Sequence, residues 1–220
     1  MHAESGCPQL ASNSSKTQRE ALHCQRYVVM KRESEVAQAH GIGSGRVLPR
    51  SFYAKPAVEV ARALLGKILR HGTSAGRIVE TEAYLGAEDP AAHAYRGMTP
   101  RTRVLFGPPG HAYIYLIYGL HYCLNVSAGP EGSAGCVLIR AIEPLTETEA
   151  SGSGPGRLTK ALGITIEHNG VDLTCGAITI REARCSESFE TGVSPRIGIR
   201  KAVTLPLRFF ILGNPHVSGP

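Results

Sequence analysis

The sequence has 220 residues, 42% of them hydrophobic, which is enough for one domain with its own core and without disulfides or metal to hold it. Its formal net charge of +6 favours anionic partners such as nucleic acid or a membrane surface, although an ordinary basic protein has the same charge. No apolar run reaches the ~18 to 20 residues of a membrane span, and the N-terminus lacks the apolar stretch of a secretory signal, so we expect an intracellular protein with no membrane partner.

The six cysteines show neither a zinc-binding nor a disulfide pattern. No two of them form a C-x-x-C pair, and no histidine lies at zinc-finger spacing from any of them. Two, Cys123 and Cys136, lie in apolar runs, where a reduced cysteine acts as a small hydrophobic residue. The pattern therefore predicts no metal site and no disulfides.

Residues 1–46 differ in composition from the rest of the chain. They are rich in Ser, Gln, Ala and mixed charge, lack sustained apolar periodicity and end in GIGSGR. This composition is typical of a flexible linker and predicts a disordered extension ahead of a folded domain at 47–220. A transit peptide is the alternative, and Glu4 and Glu20 argue against it.

The folded domain begins with a predicted helix in SFYAKPAVEVARALLGK. Pro56 suits a first helical turn, and Gly66 can end the helix. Apolar residues recur between them at helical spacing, at Val58, Ala61 and Leu65.

The next apolar runs are separated by glycine-containing turns and predict strands. ILRHGTSAGRIVETEAY predicts a hairpin, and HAYIYLIY, HYCLNVSA and GCVLIRAIEP predict three more strands. GRLTKALGI predicts a short helix that ends at Gly163, and AITI and PLRFFIL predict closing strands. Because such short links cannot carry parallel crossovers, we expect a single α+β domain with a mostly antiparallel, curved sheet flanked by helices.

Two carboxylates in RIVETEAY are the first candidates for chemistry. Strand alternation places Ile78, Glu80, Glu82 and Tyr84 on one face, and a face of this kind, if accessible, is either a functional surface or a solvated strand face. Arg140 lies in an otherwise apolar strand, and a buried guanidinium requires a partner. We therefore predict a contact between Arg140 and Glu82.

The run YIYLIYGLHYCLN holds four of the eight tyrosines of a chain in which only 6% of residues are aromatic. Tyr113 and Tyr115 share a strand face and could form a wall, while Tyr118 stands beside Gly119 at a predicted turn. Hairpin turns usually carry Asn, Asp or Gly. A tyrosine at this tip therefore either inserts into a partner or folds back onto the sheet edge.

His93 and Asn125 are two further polar candidates. His93 follows the acidic segment GAEDPAA, and Asn125 lies in the predicted strand HYCLNVSA. Each is compatible with a structural role, but together with Tyr84 and Tyr115 they would form a pocket with aromatic walls and hydrogen-bonding edges, as a flat heterocycle requires. MTPRTR and SPRIGIRK add cations that form either a solvated face or a rim that contacts phosphates. These cations are Arg101, Arg103, Arg196, Arg200 and Lys201.

In this order, the segments of residues 48–219 resemble the alkyladenine (3-methyladenine) DNA glycosylase family, bacterial members more than vertebrate ones. The resemblance is carried by RIVETEAYLGAEDPAAHAYRGMTPRTR, FGPPGHAYIYLIYGLHYCLNV, CVLIRAIEPL and GPGRLTKALGI. It implies excision of alkylated or deaminated purines, such as 3-methyladenine and hypoxanthine, from double-stranded DNA. It further implies a monofunctional, monomeric enzyme of the bacterial cytoplasm or nucleoid that needs no metal or organic cofactor.

The resemblance also assigns catalytic roles to two residues. Glu82 would activate the attacking water, and Arg140 would hold that carboxylate and the water. These roles suit the reaction, because cleaving an N-glycosidic bond develops positive charge on the sugar, which a nearby carboxylate stabilises while it orients water.

Five further residues receive binding roles from the same resemblance. Tyr84, His93 and Tyr115 would sandwich and hydrogen-bond the flipped base. Asn125 would lie at the pocket floor and crowd the exocyclic amine of guanine, and Tyr118 would fill the vacated base stack from the minor groove. Extruding a base costs a few kcal/mol, which an inserted side chain partly offsets.

Two other hypotheses stay open. A small-molecule nucleoside or glycoside hydrolase could use Glu80 and Glu82 as paired carboxylates. A catalytically impaired DNA-binding relative is suggested by TETEASGS after Leu145, where family members carry a longer, helix-forming, basic segment.

Overall fold

The apolar runs between glycine-containing turns form one sheet in the computed structural model, which describes residues 45–148, 150–184 and 187–219. Its strands are β1 Ile68–His71, β2 Ser74–Tyr84, β3 Ala112–Ile117, β4 His121–Ala128, β5 Gly135–Pro144, β6 Ile178–Arg181, β7 Thr191–Ser194 and β8 Arg208–Ile211. The helices are α1 Arg50–Tyr53, α2 Ala57–Leu64, α3 Arg103–Phe106 and α4 Pro155–Ala161, with 3-10 helices at Gly86–Glu88, His93–Arg96 and Ile166–His168. The predicted α+β domain is confirmed.

The long strand β2 organises the sheet, whose strand pairs are antiparallel. The order is β3-β4-β5-β2-β1-β6, and β8 pairs with both β2 and β7. One edge of β2 pairs with β5 along most of its length, while the other pairs first with β1 and then with β8. The sheet divides at this point and curls, so that the second half of β2 is enclosed on both edges.

Helix α2 covers one face of the sheet and closes the main core. It starts after Pro56, as predicted, and Gly66 lies in the left-handed region, with φ 79°, just beyond its end. The buried stripe of the helix consists of Ala57, Val60, Ala61 and Leu64. Of the predicted apolar positions, Ala61 lies in this stripe and Leu65 is buried just beyond the helix, whereas Val58 is only partly buried.

A second, smaller apolar cluster lies where β3 and β5 meet the loop after β2. It consists of Ala94, Leu105, Tyr113, Ala134 and Cys136, with Tyr84 and Tyr115 packed against it. This cluster supports the aromatic side chains from beneath and fixes the position of the candidate site at one end of the sheet.

The folded part of the chain already includes Gly45 and Arg46. The backbone N–H of Glu182 donates to the Arg46 carbonyl at 2.9 Å, and the Arg181 guanidinium donates to the Gly45 carbonyl at 3.1 Å. The rest of the predicted extension, 1–44, lies outside the described residues. Within the described ranges, no helix is both long enough and apolar enough to cross a membrane.

Candidate active site

A cavity of about 680 Å³ opens beside the β3–β4 hairpin and under the segment 197–201. Pockets for small ligands typically measure ~300 to 1,000 Å³, so a purine base fits this volume. The predicted site residues that line it are Tyr84, His93, Arg101, Tyr115, Tyr118, Asn125, Arg140, Arg200 and Lys201. The fold therefore brings most of the predicted residues to one place, although they come from separate parts of the chain.

Aromatic rings form the cavity wall. The His93 and Tyr115 rings meet edge to face with centroids 4.6 Å apart, and His93 Nδ1 lies 2.9 Å from the Tyr113 hydroxyl. Desolvation and the nearby Arg101 guanidinium lower the pKa of His93 below its ordinary 6.5. Burial raises the pKa of Tyr115. At neutral pH the wall is therefore uncharged and presents π faces and hydrogen-bonding edges, which suit a flat heterocycle.

Asn125 lies at the inner end of the cavity, on β4. Its side-chain Nδ2 donates to the Tyr113 carbonyl at 3.2 Å, and the residue is only 2% exposed. Leu138 and Cys136, its neighbours in the lining, come from β5. Burial raises the pKa of Cys136 to about 12, so its thiol is neutral. The Asn125 amide is thus buried at the floor of the cavity, with its Nδ2 bound to the backbone of β3.

Glu82 lies directly behind the cavity wall and is fully buried. Its Oε1 accepts a hydrogen bond from the Ile197 backbone N–H at 2.8 Å, and its Oε2 accepts one from the Tyr84 hydroxyl at 3.0 Å. The Arg140 guanidinium lies 3.4 Å from Oε1. Burial raises the pKa of Glu82 above its ordinary value, although Arg140 and the two hydrogen bonds act against this shift. The contact predicted between Arg140 and Glu82 is present.

Glu80 and Glu82 are both fully buried, so the strand face that they share is not an accessible surface. Glu80 accepts hydrogen bonds from Arg140 Nε at 2.9 Å, from Arg208 Nε at 2.6 Å, and from both the backbone N–H and the hydroxyl of Ser218 at 2.7 and 2.9 Å. This face of β2 is therefore covered by the Arg140 and Arg208 side chains and by the segment that contains Ser218.

Arg140 links the two carboxylates. Its Nε donates to Glu80, its Nη1 faces Glu82, and its Nη2 donates to the Ser218 hydroxyl at 3.1 Å. All three guanidinium nitrogens thus have a partner, and the side chain is held in one position. Sequence reasoning missed Arg208 and Ser218. Arg208 could have been found, since it stands in the apolar run PLRFFIL as Arg140 stands in its own strand.

Arg196 does not belong to the basic rim. It is 5% exposed, and its two terminal nitrogens both bind the Asp89 carboxylate, one of them at 2.9 Å. Its guanidinium also lies 4.6 Å from the centroid of the Tyr84 ring. The position of Arg196 contradicts the predicted phosphate contact, because the side chain is enclosed and paired inside the protein.

The other predicted cations are exposed. Arg101, Arg200 and Lys201 line the cavity mouth, and the Arg101 guanidinium lies 5.1 Å from the centroid of the Tyr115 ring. Arg103 is exposed on α3 but does not line the cavity. These four side chains are free to face a polyanion.

The tip of the β3–β4 hairpin projects from the cavity mouth. Tyr118 is 83% exposed, so it does not fold back onto the sheet edge. It and Gly119 both have positive φ, 53° and 69°, a conformation that costs a non-glycine residue ~1–2 kcal/mol. Leu116 and Leu120 beside it are also exposed. The hairpin therefore presents an exposed apolar tip on a strained backbone.

The acidic, histidine and cysteine side chains do not make a metal centre in the part of the chain that the structure describes. No three of them are grouped closely enough to hold an ion. Within those ranges, Cys123, Cys136 and Cys175 are free thiols. The remaining three cysteines lie outside the described residues.

The chain is similar to known proteins over most of its length. A family model described as methylpurine-DNA glycosylase (MPG) matches residues 51–215. Three similar proteins, each named "Putative 3-methyladenine DNA glycosylase", come from Methanoculleus marisnigri, Burkholderia lata and Koribacter versatilis and are 48%, 47% and 45% identical. The matches cover 78%, 80% and 78% of this chain and 98%, 93% and 93% of those proteins.

The alignment lengths also show a difference. The alignment with the M. marisnigri protein has 189 positions, whereas 78% of this 220-residue chain is only about 172 residues. That relative therefore has residues without a counterpart here. A shorter segment after Leu145 agrees with this difference.

Proposed function

The chain belongs to the methylpurine-DNA glycosylase family, and from this membership and the geometry of the cavity we propose that residues 47–220 flip a damaged purine out of double-stranded DNA and hydrolyse its N-glycosidic bond. As a member of that family it is a hydrolase of base excision repair that acts on alkylated bases. We further propose that its substrates include 3-methyladenine and hypoxanthine and that its nucleophile is a water activated by Glu82.

The observation that carries the proposal is the position of Glu82. Its carboxylate lies directly behind an aromatic-walled cavity, and the lining residues Tyr84, Arg140 and Ile197 are the groups that hold it. A flipped nucleotide whose base lies between Tyr84 and Tyr115 would bring its sugar to this corner of the cavity. Chemistry on a base requires extrusion of this kind, because the target atoms are inaccessible inside the duplex.

Glu82 and Arg140, the two groups nearest the sugar, would have different roles in the bond cleavage. The bond from C1′ to the purine nitrogen breaks with its electrons moving to the base, and positive charge develops on the sugar, where the Glu82 carboxylate stabilises it. Water adds to C1′ and gives its proton to Glu82, for which a raised pKa makes the carboxylate a better base. Arg140 keeps the carboxylate in position. A cationic 3-alkylpurine leaves as a neutral base without further protonation, whereas hypoxanthine leaves with a negative charge and takes up one proton from solvent.

Recognition of the base is supported by the neutral aromatic wall and the closed floor. Tyr84, His93 and Tyr115 offer stacking faces and hydrogen-bonding edges, and Asn125 leaves little room beside it for the exocyclic amine of guanine. Tyr118 at the hairpin tip would occupy the gap left in the stack.

The basic rim would hold the phosphate backbone on either side of the flipped nucleotide. Contacts of this kind fix orientation without reading sequence. They involve Arg101, Arg103, Arg200 and Lys201. One copy of the chain carries every group named, so we expect it to act as a monomer.

We propose a monofunctional enzyme without lyase activity. A lyase needs an amine that attacks the sugar and forms a Schiff base with it. Among the described lining residues the one lysine is Lys201, which is exposed at the mouth, whereas Glu82 lies behind the cavity wall. Borohydride treatment of the enzyme with substrate should therefore trap no covalent complex with DNA.

The deciding experiment compares base release from a lesion-bearing duplex with release from the matching free nucleoside. Duplexes carrying hypoxanthine and methylated DNA carrying 3-methyladenine are the two substrates, and we expect free base from the duplexes alone. Release from the nucleoside would favour a small-molecule hydrolase. Binding to the lesion duplex without release would favour a catalytically impaired relative.

A further inference from the structure

Two consecutive residues, Arg196 and Ile197, contact different groups of the active site. The Arg196 guanidinium stacks on the Tyr84 ring at 4.6 Å, and the Ile197 backbone N–H donates to the Glu82 carboxylate at 2.8 Å. Tyr84 and Glu82 are two residues apart on β2 and are themselves joined by a hydrogen bond. A single short segment thus supports both the ring that would stack on the base and the carboxylate that would activate water.

That segment is anchored by an ion pair with no solvent access. The side chains of Arg196 and Asp89 are both 0% exposed, and Arg196 makes a third bond, to the Ala83 carbonyl at 3.0 Å. Asp89 is fixed in turn by the backbone N–H groups of Leu85 and Ala91, at 3.3 and 3.0 Å. Although burial opposes ionisation of Asp89, its bonds to Arg196 lower its pKa, so the pair is charged.

The pair connects three parts of the cavity wall. Arg196 belongs to the segment that covers the cavity, Ala83 to the end of β2, and Asp89 to the loop that leads to His93. A buried ion pair often contributes no more net stability than well-packed apolar residues of similar volume would. We therefore attribute the ion pair to the geometry that it imposes on the cavity wall and not to a gain in stability.

We propose that Arg196 is a positioning residue of this active site, which, held by Asp89, supports the Tyr84 ring from behind and places the Ile197 N–H on the Glu82 carboxylate. The inference rests on the proposed function, since it takes Glu82 and Tyr84 as the working groups. It assigns to Arg196 a role different from the phosphate contact that its basic neighbours suggest.

Loss of this support should change how Glu82 titrates. The groups that face Glu82 are Arg140, Glu80, Cys123, the Tyr84 hydroxyl and, at longer range, Arg196 itself. When the Ile197 N–H moves away, a donor that favours the ionised carboxylate is lost. The acid limb of the rate against pH should then move to higher pH.

The test uses three variants of the full chain. Asp89→Leu combined with Arg196→Met replaces the ion pair by apolar side chains, so that no buried charge is left without a partner. Arg196→Lys keeps the charge but cannot stack or bind in two places as a guanidinium does. Arg50→Gln is the control, since it breaks another ion pair, with Asp172, that does not line the cavity.

We expect the double variant to lose up to about 10²-fold in the single-turnover rate, the loss typical of a misplaced active-site group. Its acid limb should move to higher pH, Arg196→Lys should fall between it and the parent, and Arg50→Gln should change thermal stability alone. The dependence of DNA affinity on salt should stay unchanged. A phosphate contact at Arg196 would instead reduce the slope of that dependence by about one in the double variant, which removes the Arg196 charge.

A folded double variant with the parent's rate and acid limb would overturn the inference, and so would a reduced salt slope. Glu82→Gln is measured beside it to separate the two proposals. If the parent is active and Glu82→Gln is not, the proposed function holds whatever Arg196 does. If the parent itself releases no base, the proposed function fails first.

Discussion

Glu82→Gln should remove activity without removing the fold. The amide keeps an oxygen for the Ile197 N–H and for Arg140, and its NH₂ group can donate to the Tyr84 hydroxyl, which turns to accept. The variant therefore keeps a contact at each of these three positions. The change does remove the basicity and the negative charge beside the sugar, and loss of a positioned base alone costs on the order of 10² to 10⁴ in rate.

The stability of this variant has a definite sign. Because the pKa of Glu82 is raised in the folded protein, the folded state holds the proton more tightly than the unfolded state does. The ionised carboxylate then makes the parent less stable as pH rises from the unfolded pKa to the folded one. Glu82→Gln lacks this penalty, so its melting temperature should equal or exceed that of the parent at pH 7.

Glu80→Gln is the matched control and should behave in the opposite way. Glu80 accepts hydrogen bonds from two guanidinium groups, at 2.9 and 2.6 Å, whereas Glu82 faces one at 3.4 Å. Removing one partner from a buried ion pair typically costs ~3 to 5 kcal/mol. Glu80→Gln should therefore lose much more stability than Glu82→Gln but retain substantially more activity.

The assay is single-turnover release of hypoxanthine, and of 3-methyladenine from methylated DNA, at a temperature where all three proteins are folded. Melting curves and binding to lesion-bearing DNA are measured in parallel. A Glu82→Gln protein that retained activity would refute the proposed mechanism. Equal rate losses in the two variants, with both folded, would indicate that the carboxylates act as a pair.

Other measurements test the remaining parts of the site. Tyr118→Ser should change thermal stability by no more than about 1 kcal/mol, as expected of an exposed side chain, and should weaken lesion binding and flipping; a large stability loss with full binding would contradict its role as a wedge. The four exposed rim cations predict a slope of about −3 to −4 for log affinity against log salt concentration, and a flat plot would exclude them. The rate should rise with pH through the raised pKa of Glu82, above 4.5, and a limb that persists in Glu82→Gln would have to come from another group. Inserting a relative's longer segment after Leu145 should raise the melting temperature or the DNA affinity. No change in either would show that the shorter segment costs neither stability nor binding.

Most strands and the α2 helix could be predicted from the sequence because their signals are local. Apolar runs, Gly66 and Gly163 each act within a few residues of themselves, and all three mark observed boundaries. Strand β7 was not predicted, since Thr191–Ser194 is short and half polar, and pairing with β8 is what makes it a strand.

What could not be predicted depends on contacts between distant parts of the chain. Strand alternation could not decide whether Glu80 is accessible; it is buried, and its partners Arg208 and Ser218 come from more than 100 residues away. Arg196 has the sequence neighbours of a surface cation, but its partner Asp89 lies 107 residues earlier. Short motifs show which residue types are present, while long-range pairing decides which of them are enclosed.

The tyrosines around the cavity also give this protein an optical property. The chain has eight tyrosines and no tryptophan, so its emission comes from phenol rings when the excitation wavelength is too long for phenylalanine to absorb. Four of them line the cavity: Tyr84, Tyr113, Tyr115 and Tyr118. A purine that stacks on these rings should quench a large share of that emission. The arrival of a base could therefore be followed in real time in unlabelled protein, separately from the later appearance of the free base.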